Sequence, residues 1–385
     1  MGGALTVILA VICTVVWVYL IAARGRFWRG GVGSISIPTP PTRWPTVTAI
    51  VPARDEAGVI AESLRSLLQQ DYAGQFSIIT VDDDSSDGTA SAAKDAAASY
   101  RARSLTVLAS HGPPAGWTGK LWALKQGIAA AEASQPDYLL LTDADIVHSP
   151  DTLAWLTAQA AAGNYHLVSL MAKLRCESLV ERGHVPAFIY FFQMLFPFAW
   201  VSRTESATAA AAGGCILVRA DALARAGGIT SIRNALIDDC ALAAKLKASG
   251  PIWLGLTDRV RSIRSYDRLS DVRQMISRSA YAQLRHSPLL LIAVMIGMTI
   301  TFLVPPLLVI FASGWPRYLG LVAWLMMAAS FLPTLRFYRI SPLWAVALPG
   351  IALLYLLYTL DSAYRHWRRR GGQWKGRLHV EAPSL

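Results

Sequence analysis

The chain has 385 residues, of which 54% are hydrophobic and only 16% are charged. These proportions exclude an ordinary soluble domain and indicate membrane segments. The 36 basic and 25 acidic residues give a net charge of +11. Because no nucleic-acid-binding motif accompanies that charge, we expect a membrane partner and no nucleic acid.

The cysteines exclude two further classes of protein. Cys13, Cys176, Cys215 and Cys240 form no C-x-x-C pair. Neither a zinc site nor a disulfide framework is therefore expected. A reducing, cytosolic setting fits this pattern.

An uncharged apolar run near the amino terminus, residues 4–21, has the length of a membrane span. Arg24, Arg26 and Arg29 follow it, which favours a cytosolic location for the next domain. A cleaved signal peptide is the alternative, but no positively charged region precedes the run. We predict a transmembrane anchor over residues 1–23 and a basic, proline-rich linker over residues 24–46.

The next segment, residues 47–287, alternates strand and helix patterns. "VTAIVPA", "SIITVDD" and "YLLLTDAD" are short β-rich runs, and "AGVIAESLRSLLQQ" has a helical period. Strands that alternate with helices predict an α/β domain with a mostly parallel, Rossmann-like sheet. Its length is ample for one hydrophobic core.

Apolar sequence returns over residues 288–361, where we predict two or three membrane spans. The candidates are residues 289–312, 318–335 and 343–360. Three crossings would leave the basic tail outside, against the positive-inside tendency, so one segment is expected to be re-entrant or interfacial. The first contains Pro305-Pro306 and is the suspect.

Basic residues mark the predicted tail, residues 362–385, and are typical of an anionic lipid surface. They are Arg365, Arg368, Arg369, Arg370, Lys375 and Arg377.

A separate aromatic segment, residues 186–201, has two interpretations. It is either a buried core element or a membrane-surface segment that helps lipid enter the site.

Acidic side chains follow three of the predicted strands. They are Asp55 and Glu56, then Asp82 and Asp83, then Asp143 and Asp145. Ligands of α/β sheets bind beyond the carboxyl ends of the strands, so these acids are expected at one edge. Clustered like charges repel one another, and a divalent Mg²⁺ or Mn²⁺ shared with a diphosphate would stabilise them.

The order of "IVPARDE", "VDDDSSDGT", "TDAD" and a later "DD" resembles family 2 glycosyltransferases, which have the GT-A fold. The resemblance covers about residues 47–280. "GWTGKLWALKQG" and the flanking membrane segments are most similar to the hopanoid-associated, HpnB-type group. Ceramide glucosyltransferases are more distantly similar.

The resemblance implies a donor site. It places Asp55, Glu56, Asp82 and Asp83 near the nucleotide base and ribose. It assigns Asp143 and Asp145 to the metal and diphosphate, with Asp145 in direct metal contact and Asp143 nearer the ribose or sugar. Lys120 is either a partner of the donor phosphates or a solvated helix lysine.

The resemblance also implies an acceptor side. Gly213 and Gly214 would line the pocket, and glycines let a backbone approach a ligand closely. Asp238 and Asp239 lie at a predicted helix start, where a helix cap is the plain alternative. In the family the second of these acids is the catalytic base, which is Asp239 here. Asp87 is more simply a helix cap.

A family motif, Q-x-x-R-W, is altered in this chain. Gln274 and Arg278 stand at its place, one residue too far apart and without the tryptophan. Arg278 is expected to meet the diphosphate, with Arg273 as its competitor and membrane-surface charge as the alternative. The change argues against a processive polysaccharide synthase.

Together these features predict a membrane-bound inverting glycosyltransferase that uses a nucleotide-diphospho-sugar, UDP-linked, and a lipid hydroxyl acceptor of hopanoid type. Its expected location is the bacterial inner membrane, multi-pass, with the catalytic domain facing the cytosol. A polyprenyl-phosphate sugar synthase is the enzymatic alternative. A membrane scaffold that binds a nucleotide sugar without catalysis is the alternative from another class.

Overall fold

The computed structural model describes residues 2–29, 38–98, 100, 103–368, 373–374 and 377–378. Residues 30–37 of the predicted linker, and Arg369, Arg370 and Lys375 of the predicted tail, lie outside the described residues. The chain packs as two compact units. Unit 1 contains Met1–Val32, Cys176–Ala199 and Tyr266–Gly372, and unit 2 contains Gly33–Arg175, Trp200–Ser265 and Gln373–Leu385.

The strands are, in chain order, β1 Val47–Ala53, β2 Phe76–Asp82, β3 Ser104–Ala109, β4 Tyr138–Thr142, β5 Ile146–His148, β6 Leu167–Lys173, β7 Cys215–Arg219, β8 Ile252–Ser262, β9 Gln373–Trp374 and β10 Arg377–Leu378. The helices are α1 Gly2–Ala22, α2 Ile60–Leu68, α3 Thr89–Ala98, α4 Gly119–Ala131, α5 Thr152–Ala162, α6 Leu179–Leu195, α7 Phe198–Val201, α8 Ala220–Arg225, α9 Asp238–Lys247, α10 Leu269–Ser277, α11 Ala280–Gln283, α12 Pro288–Met298, α13 Val304–Phe311, α14 Trp315–Tyr338 and α15 Leu348–Trp367.

An eight-stranded sheet forms the centre of unit 2, in the order β3-β2-β1-β4-β7-β6-β8-β5. The first four strands in that order are parallel. Strand β7 runs antiparallel to both of its neighbours, and β5 runs antiparallel to β8. The predicted α/β class is confirmed in a mixed sheet: β3, β2, β1, β4, β6 and β8 run in one direction, and β7 and β5 run in the other. The alternation of strands and helices along the chain does not predict that β7 runs in the opposite direction to its neighbours.

Helices cover the sheet of unit 2 through apolar stripes. Every residue of β1 is buried, as expected for a central strand covered on both faces. On α2, the fully buried Ile60, Leu64 and Leu67 recur at helical spacing and join the core that β1 forms with its neighbours.

The strand register determines which ends meet at one edge of the sheet. Ala53 pairs with Asp82, and Asp82 pairs with Ala109, so β1, β2 and β3 end together. Thr142 at the end of β4 pairs with Cys215 at the start of β7. The reversed β7 therefore brings the segment before it, rather than the one after it, to the acidic edge.

Unit 1 is helical, and α1, α6, α14 and α15 share its buried core. The hydroxyl groups of Tyr190 on α6 and Ser330 on α14 lie 2.7 Å apart inside that core. Much of α6 is buried, including Ile189 and Tyr190. The packing favours the buried-core alternative for the aromatic segment, residues 186–201.

Three helices among the described residues are long and apolar enough to cross a membrane: Gly3–Ala22, Pro288–Phe311 and Trp315–Tyr338. The suspected proline-containing segment is one of them. A π-helical stretch, Thr299–Leu303, joins α12 to α13, so Pro305 lies inside a continuous helical run, where its missing amide hydrogen costs one helical hydrogen bond. Within the described residues, the predicted third C-terminal segment is not among the helices that are long and apolar enough to cross a membrane.

Helix α15, which covers most of that third segment, carries charge near its end. Asp361 accepts a bidentate pair of hydrogen bonds from Arg273 of α10 and pairs with Arg365 one turn later. These contacts attach α10 to α15 within unit 1. The predicted domain boundaries are a different division of the chain and stay a prediction.

Candidate active site

The candidate site lies in unit 2, at the edge where β1, β2 and β4 end and β7 begins. The predicted acids of this edge separate into two groups, each paired with one basic side chain. We call them the Lys120 cluster (Lys120, Asp143, Asp238 and Asp239) and the Arg264 cluster (Arg264, Glu56 and Asp145).

The Lys120 cluster joins three segments of the chain. Thr118 caps α4 by accepting a hydrogen bond from the Leu121 amide, which places Lys120 in the first turn. The Lys120 ammonium lies 2.8 Å from Asp143 Oδ1 and 3.3 Å from Asp238 Oδ2. Its side chain is only 20% exposed. The alternative of a solvated helix lysine does not describe this residue.

Asp239 is held by backbone amides. The Gly213 N–H donates to Oδ2 at 2.9 Å, and the Cys240 N–H donates to Oδ1 at 2.8 Å. A Cβ atom at Gly213 would lie 3.4 Å from both Asp239 Oδ2 and Lys120 Nζ. The glycine therefore keeps open the small pocket whose lining includes Lys120, Asp143, Gly213, Asp238 and Asp239.

Gly214 allows close packing against neighbouring apolar side chains and does not line the pocket. A Cβ atom there would come within 3.0 Å of Ile146 Cδ1, which is closer than a side chain normally allows. The pair of glycines thus has two local roles, one beside the acids and one against β5.

Burial and neighbouring charge shift the acids of the Lys120 cluster. Burial, with the adjacent Asp238 carboxylate, raises the pKa of Asp239 to about 6, while Lys120 opposes the rise. Burial also raises the pKa of Asp143 against the opposing charge of Lys120. Burial alone would lower the pKa of Lys120, but Asp143 and Asp238 outweigh it and hold that pKa above its ordinary value.

The Arg264 cluster was not predicted from the sequence. Arg264 Nη2 lies 2.6 Å from Glu56 Oε1, and its Nε lies 3.0 Å from Asp145 Oδ2. The hydroxyl of Ser262 donates to the same Asp145 oxygen at 2.9 Å. A signal was available, since Arg264 is a basic residue just beyond the end of a strand. The strand itself, β8, was not singled out.

The remaining predicted donor residues lie at the ends of β1 and β2. Asp55 Oδ1 accepts from the Ser86 amide at 2.9 Å, which ties the two loops together. Asp83 is fully buried and lies 3.8 Å from the Arg54 guanidinium. Asp82 Oδ1 is buried without a hydrogen-bond partner among the described residues. A donor group from a ligand would satisfy that oxygen.

Asp87 has the contacts of a helix cap, the plainer of its two readings. Its Oδ1 accepts from the Thr89 amide at the start of α3, at 3.0 Å, and its Oδ2 accepts from the Ala57 amide at 2.9 Å. Burial raises the pKa of Asp87, but these hydrogen bonds and that of the Thr89 hydroxyl together outweigh it and lower that pKa.

Gln274 and Arg278 belong to unit 1, on α10 and at its carboxyl cap. The Arg278 amide donates to the Gln274 carbonyl at 3.1 Å, and both side chains are exposed. Arg273, the competing arginine, is engaged by Asp361.

The donor set at the edge suits a hard cation that is shared with phosphate. No cluster of three or more histidine, cysteine or acidic side chains is placed to hold a metal within the part of the chain that the structure describes. Asp143 and Asp145 supply carboxylates from one turn, and Mg²⁺ usually takes one or two carboxylates together with substrate phosphates. The residues therefore fit a metal that binds with the donor, and do not form an all-protein cage.

Comparisons with known proteins identify the family and the fold. A family model described as "Glycosyltransferase like family 2" matches residues 45–261, which is more than half of the chain. An N-acetylglucosaminyltransferase of Rhizobium leguminosarum bv. viciae is 35% identical over 114 residues, which are 29% of this chain. The chain spans only 24% of that relative's length.

A solved structure shares the overall chain path. It is the mannosyltransferase PcManGT from Pyrobaculum calidifontis, in complex with GDP-Man and Mn²⁺. The TM-score is 0.54 at 20% sequence identity, over 93% of this chain and 99% of that chain. At this identity the likeness concerns the fold alone. With the family match, it supports the expected α/β fold of GT-A type.

Proposed function

Because the chain belongs to glycosyltransferase family 2, we propose that it transfers a hexose from a UDP-linked donor to a hydroxyl group of a membrane lipid. The observation that carries the proposal is the Lys120 cluster, in which a backbone-held carboxylate shares a pocket with a lysine. The names of the similar proteins support a nucleotide-sugar donor, since one was solved with GDP-Man.

Asp239 is the proposed catalytic base. Its pKa of about 6 leaves it ionised at neutral pH and still basic enough to accept a proton. The acceptor hydroxyl gives its proton to the Asp239 carboxylate as its oxygen bonds to C1 of the sugar. The bond from C1 to the diphosphate breaks on the opposite face, so configuration at C1 inverts.

Gly213 and Asp238 support that step. The Gly213 amide holds one oxygen of Asp239 and leaves the pocket open on the side of the acceptor. Asp238 shares Lys120 with Asp143, so that the acceptor and donor sides are electrostatically linked. Gly214 maintains the packing of this wall against β5.

The donor side is proposed to run from the ends of β1 and β2 to Asp145. Asp55, Asp82 and Asp83 lie nearest the base and ribose, and the unpartnered oxygen of Asp82 supports this assignment. Lys120 binds a donor phosphate, and Glu56 acts through Arg264 at the diphosphate end. The phosphate contact expected of Arg278, with Gln274 one helical turn before it, stays a prediction from the resemblance.

A divalent metal, Mg²⁺ or Mn²⁺, bound by Asp145 with help from Asp143, would stabilise the negative charge that develops on the leaving diphosphate. The positive side chains of this edge act in the same sense. Lys120 and Arg264 are therefore proposed to orient the diphosphate as well as to neutralise the acids before it binds.

A membrane location supports a lipid acceptor, because catalysis beside the bilayer avoids extracting an apolar substrate into water. Three candidate spans, one before the catalytic domain and two after it, would return the tail to the side of the domain. This arrangement agrees with the positive-inside tendency if the domain and tail face the cytosol of a bacterial inner membrane. From the sequence resemblance, we propose a polycyclic terpenoid of hopanoid type as the acceptor.

Mass spectrometry of membrane lipids tests the proposal. Cells that lack the gene should lose one hexosylated lipid, and the wild-type gene should restore it. A gene carrying Asp239→Asn should not restore it. A lipid profile that is identical with and without the gene would contradict the lipid acceptor. An acid-labile sugar phosphate in place of a glycoside would instead indicate a polyprenyl-phosphate sugar synthase.

A further inference from the structure

Arg264 lies between Glu56 and Asp145, and Asp145 is the residue that the sequence predicts in direct contact with a metal. Its guanidinium bonds Glu56 Oε1 at one end and Asp145 Oδ2 at the other. Both carboxylates are nearly buried, with 9% and 12% of their side chains exposed. Two buried carboxylates without a positive partner would be costly, so this arginine stabilises the edge before any ligand arrives.

The backbone around Arg264 is tied to the D-x-D turn. The Ile263 amide donates to the Asp145 carbonyl at 3.0 Å, and Ser262 pairs with Ile146 across β8 and β5. The main chain beside Arg264 and Asp145 is therefore fixed. Any change in their interaction has to come from the side chains.

Asp145 Oδ2 is already engaged twice. It accepts from Arg264 Nε and from the Ser262 hydroxyl, at 3.0 and 2.9 Å. A metal that binds this oxygen has to compete with a charge-assisted hydrogen bond. A metal that binds Asp145 through this oxygen therefore displaces Arg264 from it.

Glu56 offers a fixed anchor for such a movement. Its own amide donates to the Thr89 hydroxyl at 2.8 Å, and its carbonyl accepts from the amides of Val59 and Ile60. Arg264 is 30% exposed, so the donor that Asp145 releases can reach a ligand while Nη2 stays on Glu56. A planar guanidinium matches the oxygens of a phosphate group.

We propose that Arg264 is the resident cation of the diphosphate site. It neutralises Glu56 and Asp145 while the site is free, and it moves its Asp145 hydrogen bond to a donor phosphate when Asp145 takes the metal. This inference rests on the proposed function, because it presumes a diphosphate donor. It makes Arg264 both a competitor of the metal and a ligand of the nucleotide.

The two proposed roles of Arg264 predict opposite changes in the affinity for Mn²⁺ and in the affinity for UDP when the arginine is removed. Without the arginine, Asp145 is freed, and Mn²⁺ alone should bind roughly tenfold more tightly, since a charge-assisted hydrogen bond no longer opposes it. The same change removes a phosphate contact, so UDP at saturating Mn²⁺ should bind roughly tenfold more weakly. A purely structural bridge predicts that both affinities fall together or that neither changes.

The experiment uses the full chain in detergent micelles. Electron paramagnetic resonance of free Mn²⁺ measures metal binding without nucleotide, and calorimetry measures UDP binding at fixed, saturating Mn²⁺. The variants are Arg264→Gln and Arg264→Lys. The matched control is Arg259→Gln, which removes an arginine of the same strand that pairs with Asp151. We expect the control to change neither affinity.

Tighter Mn²⁺ binding together with weaker UDP binding in Arg264→Gln supports the inference. Unchanged or weaker Mn²⁺ binding in a variant that melts like the wild type overturns it. Should Arg264→Gln melt early because Glu56 has lost its ion pair with the arginine, the double variant Glu56→Gln/Arg264→Gln removes the carboxylate charge, and the same two affinities decide. Failure of the wild type to bind UDP would contradict the proposed donor instead, while the Mn²⁺ measurement would still judge Arg264.

Discussion

The two clusters at the acidic edge differ in how their acids are held. In the Lys120 cluster, Asp239 is fixed by backbone amides and the lysine bridges two further carboxylates. In the Arg264 cluster, two acids share one guanidinium that is partly exposed. The first arrangement suits a base that must keep its position. The second suits a site that must exchange one cation for another.

The D-x-D motif contributes one carboxylate to each of the two clusters. Asp143 joins Lys120, while Asp145 joins Arg264. The Ile146 amide donates to the Asp143 carbonyl at 3.2 Å, which closes a tight turn between β4 and β5. Two carboxylates separated by one residue therefore serve two clusters, and the motif links the acceptor side to the donor side.

The largest expected effect comes from Asp239→Asn. It removes the proposed base and keeps the size of the side chain, so turnover should fall by about 10²–10⁴-fold. UDP binding should be unchanged, because the donor side is left intact. Transfer assays and calorimetry measure the two quantities. The control is Asp221→Asn, an exposed acid of α8 that pairs with Arg219 and Arg225. Near wild-type turnover of Asp239→Asn would show that Asp239 is not the catalytic base.

Lys120→Met should shift the pH dependence of the reaction. The base works when ionised, so kcat/KM should rise with pH through the Asp239 pKa of about 6. Lys120 lowers that pKa, and its removal should move the acidic limb to higher pH. The loss of activity should then be larger at pH 6 than at pH 8. The control is Lys125→Met, one turn later on the same helix. An unshifted acidic limb would mean that Lys120 does not act on Asp239.

The smallest effect concerns an acid outside both clusters. Asp87→Ala removes the cap of α3 and should lower the free energy of unfolding by about 1 kcal/mol. The pH profile of transfer should not move. Thermal denaturation measures the first quantity, with Asp95→Ala at an exposed position of the same helix as control. A shifted pH profile of transfer in Asp87→Ala would indicate that Asp87 acts in catalysis as well as in capping α3.

Much of the edge could be predicted from the sequence, because strand ends are local features. Apolar runs that end in Asp82 or Asp143 identify both the strand and the side of the sheet. A glycine pair before "CILV" likewise indicates a close approach, and Gly213 does lie beside Asp239. Helix starts such as that of α9 are equally local.

The partners of these acids could not be predicted, because they come from distant positions. Arg264 is 119 residues from Asp145 and 208 from Glu56. Its place just beyond a strand end was a local signal, but that signal does not indicate which acids it pairs with. The reversal of β7 depends on pairing with β4 and β6, which is also a property of the folded sheet. A distant pairing also marks the end of the third C-terminal segment, which is not among the candidate spans of the described residues: Asp361 pairs with Arg273 of another helix.

The most direct test of the division between the clusters is UDP binding by Asp145→Asn and Asp143→Asn, each measured by calorimetry with and without Mn²⁺. We predict that Asp145→Asn loses the Mn²⁺-dependent part of UDP binding. Asp143→Asn should keep most of that part, since its carboxylate is held by Lys120. Equal losses in the two variants, or unchanged binding in Asp145→Asn, would contradict the account.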